Sequence, residues 1–245
     1  MITRKAILIQ NYIYGSSNAD HEKQKTNKDI GLVKTYLMSQ VGGAFEEDEI
    51  ILLSTDQIHK EGLIELIKEV DYSFIYYTGH AGFNNRQIVI PLENDEHILE
   101  SELIIENKKQ WLFFDCCRTE KAPILSPNFD FERFNNIYKK GGQNAKDLWL
   151  EKLALLEDFF FIYYTTTAGA FAFTNNEGGY GTQLFFLEMQ NLIQSNHVQS
   201  IKTLVNHLNE INSLDEGVQQ SKYISVPNIL EDQLFPIYTA SASNE

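Results

Sequence analysis

The sequence predicts an α/β fold in which a largely parallel central sheet carries helices on both faces. Short apolar runs of strand length alternate with longer segments whose apolar residues recur every three or four positions. This alternation is typical of parallel strands joined by crossover helices. The chain has 245 residues, enough for one sizeable core, and shows no internal repeat, so we expect a single domain over residues 1–245.

The first half of the chain is predicted to alternate strands with helices. The strands are expected at residues 5–10, 49–54, 72–78 and 111–115. The helices are expected at residues 29–40, at a segment capped by Thr55 or Asp56 and ending near Val70, and at residues 101–108. A long polar loop is expected before the first helix, and a small hairpin within residues 83–98.

The second half begins with a polar excursion at residues 119–147, which we expect to be exposed. A helix at 148–157, a strand at 159–167, a glycine-rich loop facing the site and helices at 182–193 and 200–212 follow. A short strand at 233–238 is expected to close the fold.

Composition and charge exclude several classes of function. A formal net charge of −14 argues against a nucleic-acid or anionic-membrane partner, because both require basic surfaces. The only two cysteines are adjacent, which fits free thiols in a reducing compartment, and no signal peptide or membrane span is evident. We therefore expect a cytoplasmic protein. No HxxxH or CxxC spacing occurs, so no metal site is expected.

Two apolar strands end in residues that carry chemistry. The strand at 72–78 leads into Gly79 and His80, and the strand at 111–115 leads into Cys116 and Cys117. Open parallel sheets place their active sites at the carboxyl ends of strands, so a histidine and a cysteine are expected in one crevice. Histidine is the natural base for a thiol near neutral pH. The alternatives are a cysteine that only packs and a histidine satisfied by backbone groups.

The segments YYTGHAG and FFDCCRT together resemble the caspase–metacaspase clan of cysteine peptidases, and bacterial caspase-like proteins in particular. The resemblance extends over most of the chain. It implies a caspase-like sandwich with a mostly parallel central sheet of about six strands. It also implies a cysteine endopeptidase that needs no cofactor; calcium activates some metacaspases, but no calcium cluster is assignable here.

The resemblance assigns roles to individual residues. His80 corresponds to the general base and Cys117 to the nucleophile, whereas Cys116 falls at the variable position and is expected to pack. The oxyanion hole corresponds to the backbone N–H groups of Ala81 and Cys117. The family usually has glycine where Ala81 stands, so Gly82 is the candidate to make the turn instead.

Five further residues bear on specificity and processing. Asp115 corresponds to a pocket acid of metacaspases, which resemble peptidases that cut after Arg or Lys, and Asp29 is a second candidate acid or else a helix N-cap. Arg118 could form a salt bridge with a pocket acid, which would weaken the basic preference. Lys139 and Lys140 lie where relatives have a cleavable linker, so they are candidate self-processing residues or solvated lysines of a surface loop.

The expected partner is a protein or peptide substrate, together with a regulatory protein encoded nearby. Small caspase-like proteins of bacteria often execute a proteolytic step in defence or cell death, which is the role expected here. Two other functions stay open at this stage. One is a non-proteolytic caspase-like scaffold or adaptor, and the other is a different cysteine hydrolase such as an amidase.

Overall fold

The structure is a computed structural model that describes residues 2–12, 19–92, 94, 96–118, 139–170, 172–175, 178–195, 200–214 and 220–226. No helix in these ranges is long and apolar enough to cross a membrane. The predicted strand at 233–238 and most of the predicted excursion lie outside the described residues.

The described strands are β1 (Arg4–Asn11), β2 (Ile50–Ser54), β3 (Tyr72–Gly79), β4 (Gly82–Asn84), β5 (Gln87–Pro91), β6 (His97–Leu99), β7 (Lys109–Asp115), β8 (Phe159–Tyr164), β9 (Thr174–Asn175), β10 (Gly178–Gly179) and β11 (Lys222–Val226). The described helices are α1 (Ala19–Leu37), α2 (Lys60–Lys68), α3 (Gln143–Leu155), α4 (Tyr180–Ser195) and α5 (Ile201–Leu214).

The central sheet has six strands in the order β11-β8-β7-β3-β1-β2. All pairings are parallel except that of β11, which runs antiparallel to β8. The predicted α/β fold and six-stranded, mostly parallel sheet are therefore confirmed. Two smaller sheets accompany it, one of β4, β5 and β6 and one of β9 and β10.

Two hydrophobic clusters cover the two faces of the sheet. Along β1, Ala6 and Leu8 belong to the cluster under α1, α3, α4 and α5, whereas Ile7 and Ile9 belong to the cluster under α2 and the three-stranded sheet. Successive residues of a strand point to opposite faces, so strands buried on both faces are apolar throughout. This explains the nearly continuous apolar runs of the sequence.

Several elements differ from their predicted bounds. Helix α3 begins at Gln143, five residues before its predicted start and within the predicted excursion. Helix α1 begins ten residues before residue 29, in a segment whose inward side carries the polar Thr26 and Asp29 instead of an apolar stripe. The helix predicted at 101–108 is wrong: a single 3₁₀ turn (Glu100–Leu103) forms there. The side chain of Gln110 then bonds to the backbone of Leu103 and Ile105 and holds the chain in an open connection. Strand β8 ends at Tyr164, three residues before its predicted end.

Candidate active site

The ends of β3 and β7 bring His80 and Cys117 to the same edge of the sheet. These strands are neighbours, and Thr78 pairs with Asp115 in their register. His80 and Cys117 each follow the paired position by two residues. The two residues predicted to carry the chemistry therefore leave adjacent strands at equivalent points.

The alternation of side chains along β7 separates the two cysteines. Cys116 is buried with Leu112 and Phe114 in the cluster under α2. Cys117 is partly exposed and is absent from that cluster, and its sulfur lies beside the backbone of Ala172. Burial raises the pKa of the Cys116 thiol well above its ordinary value, so this thiol stays protonated and inaccessible.

The Cys117 sulfur has one backbone donor close to it. The N–H of Ala172 points at Sγ over 3.4 Å. Partial burial raises the pKa of the Cys117 thiol, and the Ala172 N–H opposes that rise. A thiol with a raised pKa is largely protonated at neutral pH, so it needs a base nearby to become a nucleophile.

The backbone of His80 is held firmly by groups that surround its carbonyl. Asn11 Nδ2 donates to this carbonyl at 2.5 Å, and the hydroxyl of Tyr77 donates to it as well. Thr55 in turn donates to Asn11 Oδ1 at 2.9 Å. Gly79, with φ of +118°, makes the turn, and a Cβ there would lie 1.9 Å from the backbone carbonyl oxygen of Asn11. Only glycine fits that position.

The His80 side chain is 48% exposed, and its Nε2 lies 4.0 Å from a carboxylate oxygen of Glu22 on α1. In the described part of the chain, no hydrogen bond joins the imidazole to the Cys117 thiol. Hydrogen bonds between catalytic groups are often long without substrate and shorten in the reacting complex. The arrangement thus brings the two residues to the ends of neighbouring strands.

The two backbone groups predicted for the oxyanion hole lie at the start of the segments after β3 and β7. Ala81 does not adopt a left-handed conformation, so alanine causes no backbone strain there. The left-handed turn falls at Gly79 and not, as predicted, at Gly82. Within the described residues, the N–H groups of Ala81 and Cys117 donate to no other residue, which leaves them available to an incoming oxygen.

Asp29 and Asp115 are both buried and lie close together, which brings two distant parts of the sequence to one place. Asp115 accepts hydrogen bonds from the Thr165 hydroxyl at 2.7 Å and from the Thr182 N–H and hydroxyl at 2.9 and 2.5 Å. Asp29 accepts a hydrogen bond from the Thr78 hydroxyl at 2.9 Å. Hydrogen-bond donors therefore surround both acids, but each acid also lies close to the negative charge of the other.

The pKa values of both acids are raised, and no positive charge in the described ranges offsets the rise. Burial, and after it the charge of Asp115, raise the pKa of Asp29 well above its ordinary value. Burial also raises the pKa of Asp115, against the hydrogen bonds from Thr182 and Thr165. Among the described residues, no cationic side chain contributes to either carboxyl. A positive charge brought to this place would meet two acidic side chains that no described cation neutralises, and it would favour their ionised forms.

Arg118 is not that counterion. Its guanidinium stacks on the ring of Tyr164, with its carbon 3.9 Å from the ring centroid, and donates to the Thr166 carbonyl at 3.2 Å. Its backbone bonds to Gly169 and Ala170. Arg118 is thus buried in the fold and fastens the chain after β8 to the cysteine segment. The alternative that it forms a salt bridge with a pocket acid does not hold in this structure.

Gly178 and Gly179 cover the acid pair, a contact that was not predicted. The N–H of Gly179 lies 2.8 and 3.0 Å from the two carboxylate oxygens of Asp29. A Cβ at Gly178 would lie 2.1 Å from Asp29, and one at Gly179 would lie 2.2 Å from Asp115. The glycines therefore let β10 approach the carboxylates as closely as a backbone can. The signal was the Gly-Gly pair in a loop already expected to face the site.

Lys139 and Lys140 lie near the amino-terminal ends of the parallel strands, opposite the ends that carry His80 and Cys117. The Lys139 carbonyl accepts the N–H of Gln40 at 3.0 Å, and the N–H of Gly141 donates to Met38 at 2.8 Å. The lysine segment thus bonds to residues 38 and 40. A few residues later, the carbonyls of residues 43 and 44 accept hydrogen bonds from Arg4, the first residue of β1. The last residue of β1 is the one that contacts the histidine segment. The two ends of β1, Arg4 and Asn11, are roughly 23 Å apart, so the lysines lie near the amino-terminal ends of the parallel strands and Cys117 follows a carboxyl end.

In the described ranges, no group of three or more His, Cys, Asp and Glu side chains is arranged to hold a metal ion.

The site residues that sequence reasoning missed are groups that contact His80. Three of them surround His80, namely Asn11, Tyr77 and Glu22. Each contacts His80 from another element or through its backbone, so local sequence patterns do not indicate the contact.

Comparison with known proteins identifies the family. The family model for the caspase domain (Peptidase_C14) matches residues 3–235. The structure of caspase-1 from Spodoptera frugiperda is similar, with a TM-score of 0.53, 13% sequence identity, and coverage of 91% of this chain and 87% of that chain. Protein GSU0716 from Geobacter sulfurreducens is similar with a TM-score of 0.53 and 10% identity, over 94% of this chain and 98% of that chain.

At these identities the two solved structures support the fold, and the family model carries the assignment. No curated protein sequence matches the chain. The match of the family model spans nearly the whole length, including both strand ends described above. The chain therefore belongs to the caspase domain family and is a cysteine peptidase.

Proposed function

We propose that the protein is an endopeptidase in which Cys117 is the nucleophile, His80 is the general base, and the acid pair favours a basic residue before the scissile bond. One observation carries this proposal. The partly exposed Cys117 follows a strand end beside that of His80, and the acid pair lies close enough for the charge of Asp115 to act on its thiol.

The reaction follows from the groups at this edge. His80 takes the proton of the Cys117 thiol, and the sulfur attacks the carbonyl carbon of the scissile peptide bond. The N–H groups of Ala81 and Cys117 donate to the oxygen that becomes negative. His80 then gives its proton to the leaving amine, and a thioester to Cys117 remains. Water activated by His80 hydrolyses the thioester and restores the thiol.

Substrate preference is proposed to come from the uncompensated acid pair. An Arg or Lys side chain that reaches Asp29 and Asp115 would provide the positive charge that the described residues do not provide. Because Gly179 N–H now donates to Asp29, the substrate cation would compete with this backbone group. Basic side chains are therefore expected to bind together with a shift of β10.

Self-processing at Lys139 or Lys140 is proposed as a reaction between two molecules. Both lysines are exposed and basic, which suits the proposed preference. They are held at the edge opposite to Cys117 by backbone hydrogen bonds to residues 38 and 40. The active site of one molecule could reach these lysines in another molecule once this short pairing opens.

We also propose a cellular role as the executing protease of a bacterial defence or cell-death system in the cytoplasm, with a regulatory protein encoded nearby. The support is the resemblance of the two core motifs to bacterial caspase-like proteins and the pair of free cysteines, which fits a reducing compartment. Co-purification with the products of neighbouring genes tests the partner. Recovery of the protein alone under all growth conditions would contradict it.

A panel of fluorogenic peptides that differ only in the residue before the cut tests the enzymatic proposal. We expect wild-type protein to cleave after Arg or Lys in preference to neutral and acidic residues, and His80→Ala and Cys117→Ala proteins to be inactive. Hydrolysis of small amides without peptide cleavage would favour an amidase. A folded wild-type protein that cleaves no peptide would favour a scaffold if the wild-type and Cys117→Ala proteins bind a partner protein equally well.

A further inference from the structure

We propose that Glu22 is a positioning residue that orients the imidazole of His80 through Nε2, and that Lys25 holds Glu22 in place. This inference rests on the proposed function, since it concerns the histidine assigned there as the base. It starts from a part of the chain where a surface loop was expected. The first turns of α1 lie there instead and place an acid beside the histidine.

The carboxylate of Glu22 stands between two nitrogen groups. Its Oε2 is 4.0 Å from Nε2 of His80, and its Oε1 is 3.1 Å from Nζ of Lys25. The Glu22 side chain is 25% exposed and that of Lys25 13%, so the pair is partly screened from water. A lysine on one oxygen leaves the other oxygen directed to the imidazole.

The same lysine connects this carboxylate to the cysteine side of the site. Nζ of Lys25 lies 3.4 Å from the hydroxyl of Thr174. Thr174 follows Ala172 by two residues, and the N–H of Ala172 points at the Cys117 sulfur. A chain of contacts therefore runs from the imidazole through α1 to the segment that faces the thiol. Such a chain fixes the histidine relative to the cysteine.

The chemical consequence concerns the tautomer of the imidazole. A neutral imidazole carries its proton on one nitrogen, and a carboxylate next to Nε2 favours the proton there. The lone pair of Nδ1 is then free to accept the thiol proton. Once the ring is positively charged, the carboxylate also stabilises it. The carboxylate of Glu22 contacts Lys25 and His80, so its effect on the thiol is expected to pass through His80.

A double-mutant cycle tests the coupling without any peptide substrate. Iodoacetamide alkylates Cys117 as the S–C bond forms, iodide leaves and the thiol proton passes to the base. The rate is read at Cys117 by peptide mapping, which separates it from buried Cys116. We expect Glu22→Gln to slow alkylation about fivefold, the effect of a partly exposed charged contact. The same substitution in a His80→Ala protein is expected to change nothing further.

Peptide hydrolysis provides the second readout. We expect Glu22→Gln to reduce kcat roughly tenfold, between the effects of an exposed ion pair and of a charged hydrogen bond, with KM changed less than about twofold. The matched control is Glu61→Gln, which removes an exposed acid from α2 on the other face of the sheet and should change neither rate.

The inference is overturned if Glu22→Gln leaves the alkylation rate unchanged, or slows it equally in the presence and absence of His80. A loss confined to KM would overturn it too, because that indicates substrate binding. Failure of the proposed function looks different. Peptide hydrolysis that survives Cys117→Ala contradicts the proposed function, whereas the alkylation cycle still decides whether Glu22 acts through His80.

Discussion

The proposed preference for Arg or Lys depends on the acid pair, and Asp115→Asn is the substitution that tests it. Asparagine keeps the size of the side chain. Its carbonyl oxygen can accept from the N–H and hydroxyl of Thr182, and its amide can donate to the Thr165 hydroxyl, which turns to accept. The fold should therefore survive. The negative charge nearest the nucleophile is lost, while Asp29 stays in place.

The size of the effect follows from burial. Removing one partner of a buried, hydrogen-bonded charge pair costs about 2–5 kcal/mol, and Asp29 remains to compensate in part, so we take about 2 kcal/mol. That is a loss of about 30-fold in kcat/KM for peptides with Arg or Lys before the cut. Peptides with a neutral residue there should change by less than about twofold, since they place no charge beside Asp115.

The same substitution changes how stability depends on pH. The pKa values of Asp29 and Asp115 are raised in the folded protein, so the folded state holds these protons more tightly than the unfolded chain does. Their effect favours folding below the unfolded pKa of about 3.9, and stability is lost as pH rises through the folded values. Asp115→Asn should therefore make the fall in Tm between acidic and alkaline pH less steep.

The assays are kcat/KM on matched peptides and thermal melts over a pH series, with Asp48→Asn as the control. Asp48 is exposed, so its loss removes one charge without touching the acid pair. An unchanged preference for Arg or Lys in Asp115→Asn would refute the specificity argument. A steeper fall of Tm with pH would refute the electrostatic argument independently.

Three other predictions address groups around the site. Tyr77→Phe removes one of the donors to the carbonyl of the histidine, and should lower kcat several-fold and stability by about 1 kcal/mol, measured by steady-state kinetics and melts. Gly179→Ala forces a methyl group onto the acid pair and should cost about 1–3 kcal/mol in unfolding free energy together with activity on basic peptides. Gly62→Ala, with open space around it, is the control and should stabilise α2 by about 0.5–1 kcal/mol. Self-cleavage near residues 139–140 should speed up per molecule as concentration rises, and wild-type enzyme should cleave the Cys117→Ala protein.

Each of these predictions has a contrary result. Wild-type kcat in Tyr77→Phe would show that the remaining donor suffices to hold the histidine. A Gly179→Ala protein as stable as wild type would contradict the close approach of β10 to the carboxylates. A rate of self-cleavage independent of concentration would place the reaction within one molecule, against the position of the two lysines.

Sequence patterns predicted the sheet and the two strand ends because both depend on local order. Runs of apolar residues define buried strands, and Cys117 and His80 follow such runs directly. The face on which each side chain points was harder, since a strand that is apolar on both faces shows no alternation. The two packed clusters decide it, and they place Cys116 among apolar residues under α2.

The remaining parts depend on contacts between distant segments. Glu22 lies in helical turns whose inward residues are polar, so no apolar period marked them as helix. Gly179 and Asp29 meet across 150 positions of sequence. The false helix at 101–108 had a suitable pattern, but the side chain of Gln110 satisfies the backbone there and replaces it. Contacts between distant segments decided the first two cases, and a local contact between a side chain and the backbone decided the third.

The most direct test of the proposed mechanism compares the two adjacent cysteines on one basic peptide. Cys116→Ala removes a buried sulfur that packs in the core, whereas Cys117→Ala removes the partly exposed sulfur beside the acid pair. We predict that Cys116→Ala cleaves the peptide within a few-fold of the wild-type rate and that Cys117→Ala does not cleave it. An active Cys117→Ala protein, or an inactive but folded Cys116→Ala protein, would contradict the assignment of the nucleophile.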